Sequence, residues 1–258
     1  MQFTDQTGHI IQLGKEPKRI ISLVPSQSEL LWDLGLKNEL LGITKFCIHP
    51  NEMFESIERV GGTKQLNLEK IRALKPDLII GNKEENDKAQ IEELRKEFSV
   101  WMSDIYTIKD ALRMIESIGE LTEKKSMAAK MAEEIREKFS QVSNAQLKNK
   151  KVVYLMWNNP LMASASNTFI DSIIKSAGMI NLFEERERYP VTDIQEIKLL
   201  NPDLILLSTE PFPFSDKHIS EFEDLFGKGR VKIVDGEMFS WYGSRLLKVP
   251  DYLNQLFI

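Results

Sequence analysis

The chain has 258 residues, 42% hydrophobic and 28% charged, with a formal net charge of −5. That balance belongs to a soluble globular protein, and an acidic surplus with only short basic runs, such as Lys148, Lys150 and Lys151, excludes a nucleic-acid partner. A lone cysteine, Cys47, excludes an internal disulfide, and no stretch is long and apolar enough to span a membrane.

Met1 to Ile20 holds no apolar run of signal-peptide length. Either the chain stays in the cytoplasm or an export signal has been trimmed. The first apolar strand is Ile20 to Val24, ending at Pro25-Ser26-Gln27-Ser28, where Ser26 or Ser28 is expected to cap a helix over Glu29 to Leu34 that Gly35 stops. Leu40 to Thr44 reads as a second strand, delivering Lys45-Phe46-Cys47-Ile48-His49-Pro50 to a strand end. Gly61-Gly62-Thr63-Lys64 lacks the spacing of a phosphate-binding loop and reads as a turn bringing backbone near a cleft. A strand over Val100 to Met102 completes a βαβαβ run.

Two helical stretches follow. Ile108, Leu112, Ile115 and Ile118 share one face of a helix from Thr107 to Glu120, and Met127, Met131, Ile135 and Phe139 share one face of another from Thr122 to about Val142. These faces are expected to pack against the lobes. A second strand-helix series then starts at Lys150: Val152 to Met156, ending at Trp157-Asn158-Asn159-Pro160; a longer loop; a helix from about Thr168 to Ala177; and a final strand over Val231 to Val234.

The two series share a phrase. Lys70 to Glu84 and Glu196 to Glu210 lie 126 positions apart and are identical at seven of fifteen positions, including Pro76/Pro202, Asp77/Asp203 and Glu84/Glu210. Each copy reads as a short helix stopped by proline, then a buried strand, Leu78 to Ile80 or Leu204 to Leu207, of the unbroken apolar kind found in parallel sheets. A period this long exceeds that of any solenoid repeat. It predicts an α/β protein of two similar lobes with helix-flanked parallel sheets: residues 1–121, a rigid spine helix over 122–147, and residues 148–258. Two lobes make a cleft, and ligands in open α/β sheets sit at the carboxyl ends of strands.

On Pro17-Lys18-Arg19-Ile20-Ile21-Ser22-Leu23-Val24-Pro25-Ser26 with Glu29-Leu30-Leu31, Val60-Gly61-Gly62, Asn67-Leu68-Glu69 with Lys75-Pro76-Asp77, and Asn201-Pro202-Asp203, the chain resembles the periplasmic-binding proteins of the iron-chelate and cobalamin class that serve ABC importers. The resemblance covers essentially the whole chain and is strongest to the cobalamin-binding branch. It implies a monomeric, non-catalytic receptor of the periplasm or cell envelope that takes a small-molecule metal chelate, a corrinoid or an iron chelate, with no intrinsic cofactor. It also implies an ABC permease partner docking on one acidic residue per lobe. Glu69 falls at the first such position; Gln195 occupies the second, with Glu196 beside it. The second reading is a cytoplasmic carrier, sensor or enzyme of the same fold that docks on no permease.

Strand-end positions supply the candidate ligand contacts: Pro25, Ser26, Lys45, Phe46, Cys47, His49, Thr63 and Lys64 in the first lobe, and Trp157, Asn158, Arg188, Tyr189, Phe212, Trp241, Tyr242 and Arg245 in the second. Flat rings beside polar anchors suit a ligand pocket, and arginines suit carboxylate, amide or phosphate groups; packing and salt bridges are the competing roles. Cys47 and His49, two apart in a segment read as extended, share one face. A metal contact, an organic-ligand contact, a nucleophilic pair and a purely structural role all remain open for them. Two donors do not close a zinc site.

Overall fold

A computed structural model describes residues 1–256, whose backbone divides into two α/β units. The first takes Met1–Ile105, Lys109–Arg136 and Tyr242–Leu247. Strands β1 (Gln2–Thr4) and β2 (Ile10–Gln12) form a hairpin; β3 (Ile20–Ser22), α1 (Pro25–Asp33), β4 (Leu40–Ile43), α2 (Asn51–Ser56), β5 (Glu58–Arg59), α3 (Leu68–Leu74), β6 (Leu78–Asn82), α4 (Lys88–Leu94) and β7 (Val100–Ser103) follow. The sheet is parallel, in the order β5-β4-β3-β6-β7. Its central strands are fully buried, as their unbroken apolar runs require. Two helices complete this part of the chain, α5 (Ile108–Leu121) and α6 (Lys125–Ser140).

The second unit takes Tyr106–Ile108, Glu137–Trp241 and the chain from Lys248. Its elements are β8 (Lys151–Asn158), β9 (Leu161–Ala163), α7 (Phe169–Ser176), β10 (Ile180–Asn181), α8 (Ile194–Leu200), β11 (Leu204–Ser208), α9 (Asp216–Phe226), β12 (Val231–Val234), α10 (Gly236–Ser240) and α11 (Val249–Gln255). The parallel order β10-β8-β11-β12 repeats β4-β3-β6-β7, and β9 adds an antiparallel strand to β8.

The shared phrase performs the same local work twice. Asn67 and Asp193 cap α3 and α8 by accepting from the amides of Lys70 and Glu196. Lys75 and Asn201 end those helices in the left-handed region, at φ 46° and 47°. Asp77 and Asp203 then accept from the amides of Lys18 and Lys151, at 2.9 and 2.8 Å. Each aspartate thereby fixes the start of the strand beside its own, which sets the register of the sheet.

Several expectations are corrected. Helix α1 begins at Pro25, ahead of Ser26 and Ser28, and Val24 is its N-cap with no side-chain cap. Proline's fixed φ suits the first helical position, so Ser28 is freed to bond inward to Ser22 and the Val24 carbonyl. The longer loop after Pro160 contains β9, paired back onto β8. In α6 the buried positions are Ala128, Ala132 and Ile135, and Met127 is exposed. Close approach explains the rotation: a side chain at Gly119 of α5 would overlap the Ala128 methyl, so small residues, not methionines, make the contact.

Candidate functional site

In the first unit, four segments meet at the carboxyl end of the sheet. The turn after β4 exposes Lys45, Phe46 and Ile48, with the Lys45 ammonium 5.1 Å from the centre of the Phe46 ring. Phe46 lies over Gly62, where an added Cβ would come within 3.3 Å of the ring. Gly61 sits at φ 110°, and a side chain there would strike the Gln65 carbonyl. Lys64 donates to the Glu84 carbonyl at 2.6 Å, and Asn86 donates to the carbonyls of Thr63 and Leu23, at 3.0 and 3.2 Å. The Gly61–Lys64 loop is therefore bound to the tips of β3 and β6.

Cys47 and His49 do not share a face. Residues 44–50 turn back on themselves through bonds from Cys47 N to Thr44 O and from Ile48 N to Phe46 O, which breaks the two-residue alternation of an extended segment. The Cys47 side chain is buried, its sulfur 3.1 Å from the hydroxyls of both Ser28 and Thr44, while His49 is half-buried. Burial pushes the Cys47 thiol up to about 11, against the lowering effect of those two hydroxyls. Pro25 and Ser26 are buried in the first turn of α1.

Tyr242 and Arg245 belong to the first unit. The Tyr242 hydroxyl donates to Glu85 at 2.5 Å, and burial together with the nearby Glu85 and Glu84 carboxylates raises its phenol well above the ordinary value. Arg245 makes a two-pronged, buried pair with Glu29 of α1, Nε to Oε2 at 2.9 Å and Nη2 to Oε1 at 3.0 Å. Gly243 lies against the Ser26 carbonyl, where no side chain fits. The Arg245 and Gly243 contacts seat the 242–247 segment on α1, and the Tyr242 contact ties it to the loop after β6.

In the second unit, Trp157 at the end of β8 is 38% exposed, and its ring meets Phe212 edge-on at 5.9 Å. Asn158 is half-buried beside it, whereas Trp241, the residue that ends α10, is buried. Arg188 is held in the left-handed region at φ 64°, with its amide donating to Ser166 O and its guanidinium to Asn167 O, each at 2.8 Å. Its guanidinium lies 5.3 Å from the Tyr189 ring and 5.6 Å from that of Tyr106. Sequence reading missed Tyr106, Ile48 and Glu85. Tyr106 carries no local signal, because it reaches Arg188 across 82 positions of chain.

Glu69 projects from the first turn of α3 with its side chain 86% exposed and bonds Arg72 at 2.8 Å. Glu196, in the matching turn of α8, is instead engaged by Arg186 and by the Thr192 hydroxyl; Gln195 is exposed. Among the described residues, no group of three or more His, Cys, Asp or Glu side chains could hold a metal ion, and no helix is long and apolar enough to cross a membrane. A cavity of about 490 Å³, lined by Lys150, Leu204, Lys232 and neighbours, opens at the amino ends of β8 and β11, away from the strand tips.

Comparison with known proteins adds to this geometry. The vitamin B12-binding protein of Vibrio cholerae is 26% identical over 195 residues, covering 74% of this chain and 70% of that protein. The solved periplasmic vitamin B12 binding protein of Vibrio cholerae superposes with a TM-score of 0.79 at 22% identity, covering 92% of this chain and 95% of that one. The periplasmic haem binding protein of the same organism superposes with a TM-score of 0.78 at 22% identity, covering 92% and 98%. The model of the periplasmic binding protein family matches residues 20–226, and the chain belongs to that family.

Proposed function

We propose that the chain captures a metal chelate of the corrinoid or iron-chelate class, such as a siderophore complex or haem, and delivers it to an ABC importer at the cell envelope. The observation that carries this reading is the exposure of large rings, Phe46 and Trp157, at the carboxyl ends of both sheets, each beside a cation or amide: Lys45 and Lys64 in one unit, Asn158 in the other. Flat apolar contact with few polar anchors suits the rim and face of a macrocycle. The named ligands of the relatives, vitamin B12 and haem, are both of that chemistry. Ligand contact in this reading falls on Phe46, Thr63, Lys64, Trp157, Asn158, Arg188, Tyr189 and Phe212. Cys47, Tyr242 and Arg245 hold those surfaces in place.

Docking is assigned to Glu69, whose exposed carboxylate can meet an arginine of a permease. Engagement of Glu196 by Arg186 favours unequal docking of the two units, and it is also what the second reading, a cytoplasmic carrier of the same fold, would show. Purification without added ligand, followed by an absorbance spectrum and a thermal-shift panel of corrinoids, haem and siderophores, tests the ligand class. A ligand that binds only the folded state must raise the melting point. No shift from any corrinoid or iron chelate would defeat the proposal, and secure cytoplasmic localisation would defeat delivery to an importer.

A further inference from the structure

Six rings run in series through the second unit. Trp157 meets Phe212 at 5.9 Å, Phe212 meets Phe214 at 4.7 Å, both phenyls meet His218 edge-on at 5.5 and 5.2 Å, and Phe214 leads on to Phe222 and Phe226. The outer end is the exposed Trp157; Phe214 and Phe222 lie in the core of the unit, and the half-buried Phe226 packs against it. His218 is buried among these rings.

Its Nδ1 accepts from the Ser215 amide at 3.0 Å and lies 3.2 Å from the Ser215 hydroxyl. A backbone amide only donates, so Nδ1 carries no proton and the neutral ring bears its hydrogen on Nε2. Ser215-Asp216-Lys217-His218 thus starts α9 as a capping box, with histidine where glutamate or glutamine normally reaches back. Either of those would serve the helix as well. Neither would place a ring edge-on to both Phe212 and Phe214.

The loop that bears Phe212 is anchored at its near end by Tyr154 donating to Ser208, by Ser208 donating to the Glu210 carbonyl, and by the Phe212 amide on Met156 O. At its far end His218 holds the Ser215 amide and meets both phenyls, and the buried Phe214 also meets Phe222 at 6.4 Å. We propose that His218 is a positioning residue for the ligand wall: through its nitrogen and its ring it sets the Pro211–Phe214 loop so that Phe212 backs the indole of Trp157. The proposal rests on reading Trp157 and Phe212 as that wall.

Trp32, Trp101 and Trp241 are 7%, 1% and 7% exposed against 38% for Trp157, so acrylamide quenching of the ligand-free protein reports Trp157 selectively. His218→Gln keeps the cap acceptor and removes the ring; His218→Phe keeps a ring and removes the acceptor. A released loop samples open positions on the nanosecond to microsecond scale, and in at least one variant the quenching constant should rise about twofold. The same variant should bind cyanocobalamin or haemin, whichever binds wild type, roughly 2- to 10-fold more weakly, because binding must then reorder the loop.

The inference is overturned if both variants keep the wild-type quenching constant and probe affinity while only the melting point falls, for that is a plain helix cap. If neither probe binds wild type, the corrinoid or haem reading fails, and the quenching result alone decides His218. A rise with Phe but not Gln assigns the positioning to the nitrogen, and the reverse assigns it to the ring. Should one variant fail to fold, the other carries the test.

Discussion

Cys47 shows how one side chain reports its surroundings. Burial holds its thiol up to about 11 from an ordinary value of 9.0, so the folded state keeps a proton that the unfolded chain loses first. Stability from this group is complete below pH 9 and is lost as pH rises toward 11, by about 2 to 3 kcal/mol in total. Cys47→Ala should flatten the fall in denaturant-measured stability between pH 9 and 10, ahead of the titration of buried tyrosines. The native thiol should also resist alkylation at pH 8. Rapid labelling of folded protein would refute the assignment. Arg245 and Glu29 pose a different residue-scale question, because a buried pair is worth little net but is costly to halve. Arg245→Met should cost about 3 to 5 kcal/mol, and pairing it with Glu29→Leu should recover most of that loss in a denaturation cycle.

At the level of elements, the duplicated phrase supplies paired caps that differ in one informative place. Asn201 tolerates the left-handed region better than Lys75 does. Lys75→Gly should therefore raise stability by about 1 kcal/mol and Asn201→Gly by less, as read from urea midpoints at constant slope. The contact of α5 with α6 gives a compensating test: Gly119→Ala alone should cost about 1 to 3 kcal/mol by overpacking, and adding Ala128→Gly should restore much of it. The same elements show what was legible in the sequence. The buried strands β6 and β11 and their helix stops were readable because apolar runs and proline act locally. The buried face of α6 was not, since Ala128 is chosen by a glycine on another helix. Likewise the Cys47 turn depends on Ser28, which sits on α1, and the Arg188 aromatic pair depends on Tyr106.

As a whole molecule, the chain spends its duplication on two copies of one scaffold and decorates their strand tips differently. The first carries Phe46 with the cations Lys45 and Lys64; the second carries Trp157 backed by Phe212, on a loop stiffened by Pro211 and Pro213. A chelate present at 100 times its dissociation constant should stabilise the protein by about 2.7 kcal/mol, roughly a 5 to 11 °C rise in melting point for a chain of this size. Truncating a ring that makes real contact removes a buried aromatic anchor and should weaken binding about tenfold or more. Phe46→Ala and Trp157→Ala should each do so at nearly unchanged stability of the free protein, since both rings are substantially exposed. If only Trp157→Ala weakens binding, the chelate rests on the second unit and Phe46 is free for another partner; if neither does, strand-tip aromatics are not the ligand surface. Calorimetric titration of both variants with the chelate that shifts wild type separates these outcomes, because lost contact lowers affinity whereas a damaged fold lowers the fraction of protein that binds.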